Sequence, residues 1–317
     1  MELALYLIGG FILLIAGGEI VVKGGVALAK NLGLPKALIG LTILAYGTSA
    51  PELVISLESA LAGHADMALG NVIGSNISNI LLVLGGTALL SPLMMDRSLL
   101  KPDGIAMFAM AALLVIFALG GTISRVEGII FAILCIGYTL YVFRKGKLEG
   151  YEAMEEEVEA EMNTDLPLPR SILYVALGLG CMVGGGKLLV TGGVGLAEML
   201  GVSGGVIGLT IIAVGTSLPE LATSLAAARR GHADMAIANV LGSNLLNIFG
   251  IVGITATVLP LSVDPAFLRF DLWLLLALSA LLVLALALQL TLKRLPAIIG
   301  LLGFFGYILY QYQTVLV

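Results

Sequence analysis

The sequence predicts an all-α integral membrane protein, ten transmembrane helices in two inverted five-helix repeats, and three observations carry that reading. Of 317 residues, 59% are hydrophobic and only 12% charged, with a mean hydropathy of +1.08, which excludes a soluble globular domain. The apolar runs approach twenty residues, long enough to cross a hydrocarbon core of about 30 Å as helices and unlike the short alternating segments of a barrel. The chain also repeats itself. Residues 33–85 and 201–253 share 30 identities in 53 positions at one offset, 168, without a gap.

Taken in order, the predicted spans lie at 3–30, 35–61, 65–90, 105–121, 127–143, 171–200, 204–228, 233–259, 272–292 and 296–312. The first opens on Met1-Glu2 without a basic leader or small-residue cleavage site, so it reads as a retained helix and not a signal peptide. The first and sixth are long and glycine-rich, and their glycines obey the offset: Gly10/Gly178, Gly17/Gly185, Gly18/Gly186, Gly24/Gly192 and Gly25/Gly193. Such small residues let helix backbones approach closely, or give smooth faces on which a helix slides. Glu19 and Lys23 are spaced to pair along one face, whereas Lys187 has no evident partner.

Five spans per half is an odd number, so the second copy enters the membrane inverted. The basic residues test this. Lys30, Lys36, Arg97, Lys101, Arg144, Lys145, Lys147, Arg170, Arg229, Arg230, Lys293 and Arg294 fall on one side, with Arg125 and Arg269 on the other. The positive-inside rule makes the first side cytoplasmic and predicts both termini on the outer face of a cell inner membrane. The organisation is therefore a first repeat at 1–143, an acidic cytoplasmic linker at 144–170 and a second repeat at 171–317. The linker carries Glu149, Glu152, Glu155, Glu156, Glu157, Glu159, Glu161 and Asp165, and reads as a solvated, partly helical segment too short for a regulatory domain. It supplies much of the net charge of −5, which gives nothing in favour of nucleic acid. Cys135 and Cys181 fall inside spans, as small packing residues and not as a disulfide or metal pair.

The repeated core reads LTILAYGTSAPELVISLESALAGHADMALGNVIGSNISNILLVL and then LTIIAVGTSLPELATSLAAARRGHADMAIANVLGSNLLNIFGIV. Each copy sets an acid, Glu52 or Glu220, directly after a proline inside an apolar run. An acid at the bilayer centre costs roughly 2.5 to 3.5 kcal/mol, and such residues mark ion pathways more often than mere helix staples. Pro51 and Pro219 remove a backbone donor, so the helices are expected to break just after Gly-Thr-Ser and free carbonyls for a cation. Thr48, Ser49, Thr216 and Ser217 add hydroxyls. Oxygen-only donors suit hard cations such as calcium or sodium and not zinc or copper. Two carboxylates balance one divalent ion or several monovalent ones, the physical basis of an exchange.

In the GSNxxN segments Ser75 and Asn79, like Ser243 and Asn247, share a helix face and can complete a ring of neutral oxygens. Asn71, Asn76, Asn239 and Asn244 fall off that face and are assigned to packing. His64 and His232 sit in linking turns, with Asp66 and Asp234 as helix caps. No serine/histidine or paired-aspartate constellation accompanies the glutamates, which argues against an intramembrane enzyme. A conducting channel is the rival outside the carriers, and broken helices in an inverted repeat favour the carrier.

GTSAPE with GNVIGSNISN, and GTSLPE with ANVLGSNLLN, resemble the paired alpha repeats of the calcium/cation antiporter superfamily, specifically the prokaryotic sodium/calcium exchangers. The resemblance covers essentially the whole chain. It implies alternating access, with the first and sixth helices sliding over an ion-holding core, no cofactor, and Ca2+ and Na+ as substrates. Carried over by position, it implies that Glu52 and Glu220 are the shared carboxylates, that Thr48 and Thr216 give hydroxyls to sodium and carbonyls to calcium, and that Ala45 and Ala213 give sodium-binding carbonyls. Ser75 and Ser243 would give hydroxyls, Asn79 and Asn247 would line the middle site, and Ser49 and Ser217 belong to the motif. Some archaeal exchangers and the potassium-dependent branch carry aspartate where this chain has Asn247, so proton or potassium coupling is the alternative within transport.

Overall fold

The computed structural model describes residues 2–32, 47, 49–95, 103–149, 166–229 and 233–313. Among these, four two-residue strands are the only extended elements and the rest of the regular structure is helical. Seven helical stretches are long and apolar enough to cross a membrane, from Glu2–Leu28 to Arg294–Gln313, with the shorter apolar helix Asp103–Ala118 beside them. Most of span 35–61 upstream of Ser49 lies outside the described residues, as does the linker interior.

The first half runs α1 (Glu2–Asn31), α2 (Ala50–Leu61), α3 (Ala65–Ser78), a π-helical stretch (Asn79–Val83), α4 (Leu84–Leu90), β1 (Leu93–Met94), α5 (Asp103–Ala118), β2 (Thr122–Ile123) and α6 (Arg125–Glu149). The second runs α7 (Leu168–Leu200), α8 (Gly204–Ile207), a π-helical stretch (Gly208–Ile212), α9 (Ala213–Thr216), α10 (Leu218–Arg229), α11 (Ala233–Leu246), a third π-helical stretch (Asn247–Val252), α12 (Gly253–Val258) and β3 (Leu261–Ser262). A fourth π-helical stretch (Phe267–Asp271) then leads into α13 (Leu272–Ala287), β4 (Thr291–Leu292) and α14 (Arg294–Gln313). Local chemistry explains the ends. Helix α7 begins on prolines and stops at Gly201, whose φ of 68° is the left-handed cap that glycine favours. Ser124 and Glu127 close a capping box ahead of α6, with Ser124 N donating to Glu127 Oε2 at 2.6 Å.

Three expectations need correction. The ninth span begins earlier and ends sooner than 272–292, because its start is π-helical from Phe267 and residues 291–292 pair as β4 with β1. Asp66 does not cap its own helix, for which His64 is the N-cap without a side-chain bond. Its Oδ2 accepts from Gly205 N at 2.8 Å instead, so a carboxylate of the first half meets the opening turn of α8. Glu19 and Lys23 form no ion pair with each other; Glu19 is exposed.

Helices α1 and α7 pack along much of their length through facing glycines. A Cβ on Gly10 would lie 2.9 Å from Gly185 O, and one on Gly185 would lie 2.8 Å from Gly10 O. Gly17 and Gly178 face each other in the same way, at 2.8 and 2.7 Å. Gly24 rests on Tyr174 as Gly192 rests on Tyr6. Each contact is its partner contact with the halves exchanged, since all these residues are mates at offset 168. The strands repeat the pattern, β1 pairing with β4 and β2 with β3. At the centre lies α3, every residue from 67 to 79 buried, pressed onto the α8–α9 segment where Gly70 and Gly208 remove side chains from the contact.

Toward the periphery, each half uses an aspartate at the start of a helix as an acceptor for a tyrosine. Tyr138 Oη donates to Asp103 Oδ1 at 2.5 Å, and Tyr307 Oη donates to Asp271 Oδ1 at 2.9 Å, joined there by the Gln311 amide. Asp271 is the more deeply buried of the pair. Tyr307→Phe is therefore expected to lower stability by about 1–3 kcal/mol, read as a drop in the unfolding midpoint of the detergent-solubilised protein, and to cost more than Tyr138→Phe.

Candidate cation site

Both signature prolines stand in the first turn of a helix, and in the second half a single residue interrupts the helical run ahead of it. Ser49, ahead of α2, has φ −91° and ψ 5°, and Ser217, between α9 and α10, has φ −82° and ψ 1°. The interruption is narrower than the expected break. Helical hydrogen bonds resume on either side, from Ser217 N to Ala213 O and from Leu221 N to Ser217 O, both at 3.1 Å. The chain kinks without unwinding. Proline still withholds one donor, so the Gly215 carbonyl loses its helical partner. The π-helical stretches offer a second source of free carbonyls, because a turn that closes on the fifth residue skips one acceptor.

The kinks bring Glu52 and Glu220 to the middle of the molecule, each 1% exposed. They are close enough to act on one another electrostatically, and the Thr216 side chain stands beside Glu52. Neither Glu52 oxygen has a partner at full hydrogen-bond geometry among the described residues. Across the kink, Ser49 Oγ donates to Glu220 Oε1 at 3.4 Å. Thr216 Oγ1 donates to Asn71 Oδ1 at 3.3 Å and shares a 3.4 Å contact with Ser75 Oγ. The Ala213 carbonyl accepts from Ser217 N and from Thr216 Oγ1. Ser243 is buried as well. Ala45 and Thr48 lie outside the described residues.

Asn79 and Asn247 each open a π-helical stretch, a wider turn not legible in the sequence. Asn79 Nδ2 donates to Asn244 Oδ1 at 3.0 Å, while Asn79 Oδ1, both polar atoms of the Asn247 amide and Ser217 Oγ are buried without a partner among the described residues. A buried amide without a partner costs free energy, so these atoms are set to bind something. Among the described residues no three His, Cys, Asp or Glu side chains converge, and the donor set is carboxylate, hydroxyl and amide. Such a set fits a hard cation arriving as substrate.

Sequence reasoning set Asn71 and Asn239 aside as packing residues, and the structure gives them a more specific place. Asn71 Nδ2 donates to Glu52 O and Ser56 Oγ, and Asn239 Nδ2 donates to Glu220 O and Ser224 Oγ. Each asparagine thus fixes the turn that carries the acid of its own half. Their shared position between the two signatures was the available signal.

Two buried acids that act on one another, with the Glu52 oxygens lacking a hydrogen-bond partner among the described residues, inside a bundle of membrane-length helices, point to a membrane carrier of cations. The chain matches the model of the family described as sodium/calcium exchanger protein over residues 2–144 and 170–313, and it belongs to that family of cation antiporters. It is 34% identical over 262 residues to the inner membrane protein YrbG of Escherichia coli, covering 82% of this chain and 81% of YrbG. It is 32% identical over 324 residues to the sodium/calcium exchanger MaX1 of Methanosarcina acetivorans, covering 92% and 93%. Among solved structures, the sodium-calcium exchanger NCX_Mj soaked with 2.5 mM Na+ and 0.1 mM Ca2+ superposes with a TM-score of 0.64 at 30% identity, over 97% of this chain and 98% of that one.

Glu52→Gln and Glu220→Gln are each expected to abolish calcium transport, by removing half the formal charge of the centre while leaving a neutral amide that is easier to bury. Calcium uptake by reconstituted vesicles reads the loss, and an unfolding midpoint at or above that of the parent shows that the protein is intact.

Proposed function

We propose that this protein exchanges calcium for sodium across a cell inner membrane by alternating access. The observation that supports it most directly is the Glu52 carboxylate, buried beside Glu220 with no hydrogen-bond partner of its own among the described residues. Two buried like charges cost several kcal/mol each unless cations compensate them. One calcium ion, or sodium ions spread over adjacent oxygens, cancels the pair. The empty, doubly charged centre is the high-energy form, and that ties the movement of one ion to the return of the other.

In this reading Glu52 and Glu220 bind both ions. Thr48 and Thr216 contribute hydroxyls to sodium and carbonyls to calcium, Ala45 and Ala213 contribute carbonyls to sodium, and Ser75 and Ser243 contribute hydroxyls. Asn79 and Asn247 line the middle of the site, Ser49 orients Glu220, the acid of the opposite half, and Ser217 belongs to the motif. With asparagine at 247 the site has two carboxylates and calcium alone balances it, so no potassium ion is needed to offset a third charge.

The proposed architecture is ten helices in two inverted halves, 1–143 and 171–317, joined by an acidic cytoplasmic linker at 144–170, with both termini outside. The exchange symmetry of the α1–α7 glycine contacts supports a two-fold relation between the halves. Single cysteines at Ala62 and Arg230, in a background lacking Cys135 and Cys181, should react with an impermeant thiol reagent from opposite faces, and labelling of both from one face would end the inverted arrangement.

The coupling ion is decided by calcium uptake into reconstituted vesicles under separately imposed sodium, proton and potassium gradients. An outward sodium gradient is expected to drive uptake with potassium absent. Uptake that follows the proton gradient or requires potassium would replace sodium as the coupling ion.

A further inference from the structure

Four asparagines of the repeated core, Asn76 with its mate Asn244 and Asn79 with its mate Asn247, are all buried, none more than 1% exposed. The stretch that Asn79 opens packs on α11, which carries Asn244, and the stretch that Asn247 opens packs on α3, which carries Asn76. Each site asparagine therefore has a second asparagine set against it from the opposite half. One of these two meetings is made. Asn79 Nδ2 donates to Asn244 Oδ1 at 3.0 Å.

The orientation of that pair is fixed from its far end. Asn244 Nδ2 donates to Asn76 O at 3.4 Å and to Met107 Sδ at 3.8 Å, and both of those atoms are acceptors only. The Asn244 oxygen must then be the atom that faces Asn79. Asn79 answers with its nitrogen, and its own oxygen is buried without a partner among the described residues. An amide held in this way offers a hard cation the oxygen it requires and withholds the nitrogen.

The mate pair is not made. Asn76 Nδ2 donates within its own helix to Val72 O at 2.7 Å, and Leu275, the mate of Met107, has no acceptor to draw it away. Asn76 Oδ1 and both polar atoms of the Asn247 amide are buried without partners among the described residues. If the Asn247 oxygen is given to a cation, its buried nitrogen still needs an acceptor. Asn76 Oδ1 is the counterpart of the acceptor that Asn79 uses.

We propose that Asn244 and Asn76 are positioning residues, each holding the nitrogen of a site asparagine of the opposite half so that its oxygen is presented to the cation. Asn244 holds Asn79 by the bond already described, and Asn76 receives Asn247 Nδ2 when a cation takes the Asn247 oxygen. This rests on the reading that Asn79 and Asn247 line the site, and adds the residues that orient them. Each half thereby sets a ligand of the other.

Calcium titration of the full-length protein in detergent, without sodium, tests this with the four single alanine variants and their doubles. Asn244→Ala and Asn76→Ala are each expected to weaken calcium binding about three- to ten-fold, the loss of one orienting hydrogen bond, and in vesicles to raise the KM for calcium with little change in maximal rate. Asn244→Ala should add nothing once Asn79→Ala is present, nor Asn76→Ala once Asn247→Ala is present, whereas the crossed doubles, Asn76→Ala with Asn79→Ala and Asn244→Ala with Asn247→Ala, should show both losses. Asn76→Asp keeps an acceptor oxygen and is expected to bind calcium at least as tightly as the parent. Either pair decides the matter, so a variant whose unfolding midpoint shows that it has not folded leaves the other pair as the test. Losses that add in the matched doubles as they do in the crossed ones would overturn the proposal, and so would lowered midpoints with no change in affinity, the sign of packing alone. Calcium binding that ignores both Asn79→Ala and Asn247→Ala would instead remove these two from the site, and the proposal would fall with the reading on which it rests.

Discussion

Two carboxylates held together near the middle of a membrane protein are the constraint on which the rest of this structure depends. The bilayer offers no water to hydrate them, and helix packing gains little from hydrophobic exclusion because lipid is as apolar as leucine. The acids must therefore be held by fixed dipoles and close backbone packing. Asn71 and Asn239 hold the turns that carry Glu52 and Glu220, and Ser49 reaches across to the acid of the other half. Glycines then let the surrounding helices approach within backbone distance, as Gly70 does against Gly205. The polar centre and the smooth helix surfaces are parts of one solution.

Much of this was legible in the chain. The membrane class follows from composition, and most of the predicted spans coincide with helices because apolar length is a strong local signal. The acids stood out because a charge in an apolar run requires a reason. What escaped the sequence was of a different kind. Asp66 looked like a cap for the helix it begins, yet its carboxylate meets Gly205, a contact between halves that no local pattern encodes. The helix break of the second half was overestimated, since a proline in the first turn of α10 loses only a bond that the kink had already given up. Asn71 and Asn239 were set aside by helical face, although a polar side chain can act on the site through the backbone of its neighbour.

The π-helical stretches are the deepest omission, and they explain how the site is assembled. Asn79 and Asn247 begin two of them, at matched positions of the duplication. Nothing in Asn-Ile-Leu-Leu-Val or Asn-Ile-Phe-Gly-Ile-Val announces a wider turn, because the cause is tertiary. A helix that keeps Ser75 against Thr216, beside Glu52, and also keeps its far end packed in the apolar core can satisfy both faces only by shifting register between them. One added residue per turn makes that shift and leaves a backbone carbonyl without its ladder partner. The same device appears at Gly208–Ile212, directly ahead of Ala213 and the kinked signature. Such turns survive only where something offsets the lost hydrogen bond. A cation bound among carbonyl, amide and carboxylate oxygens would do so in both halves at once, so the strain in the helices and the charge on the acids would be relieved by one ligand.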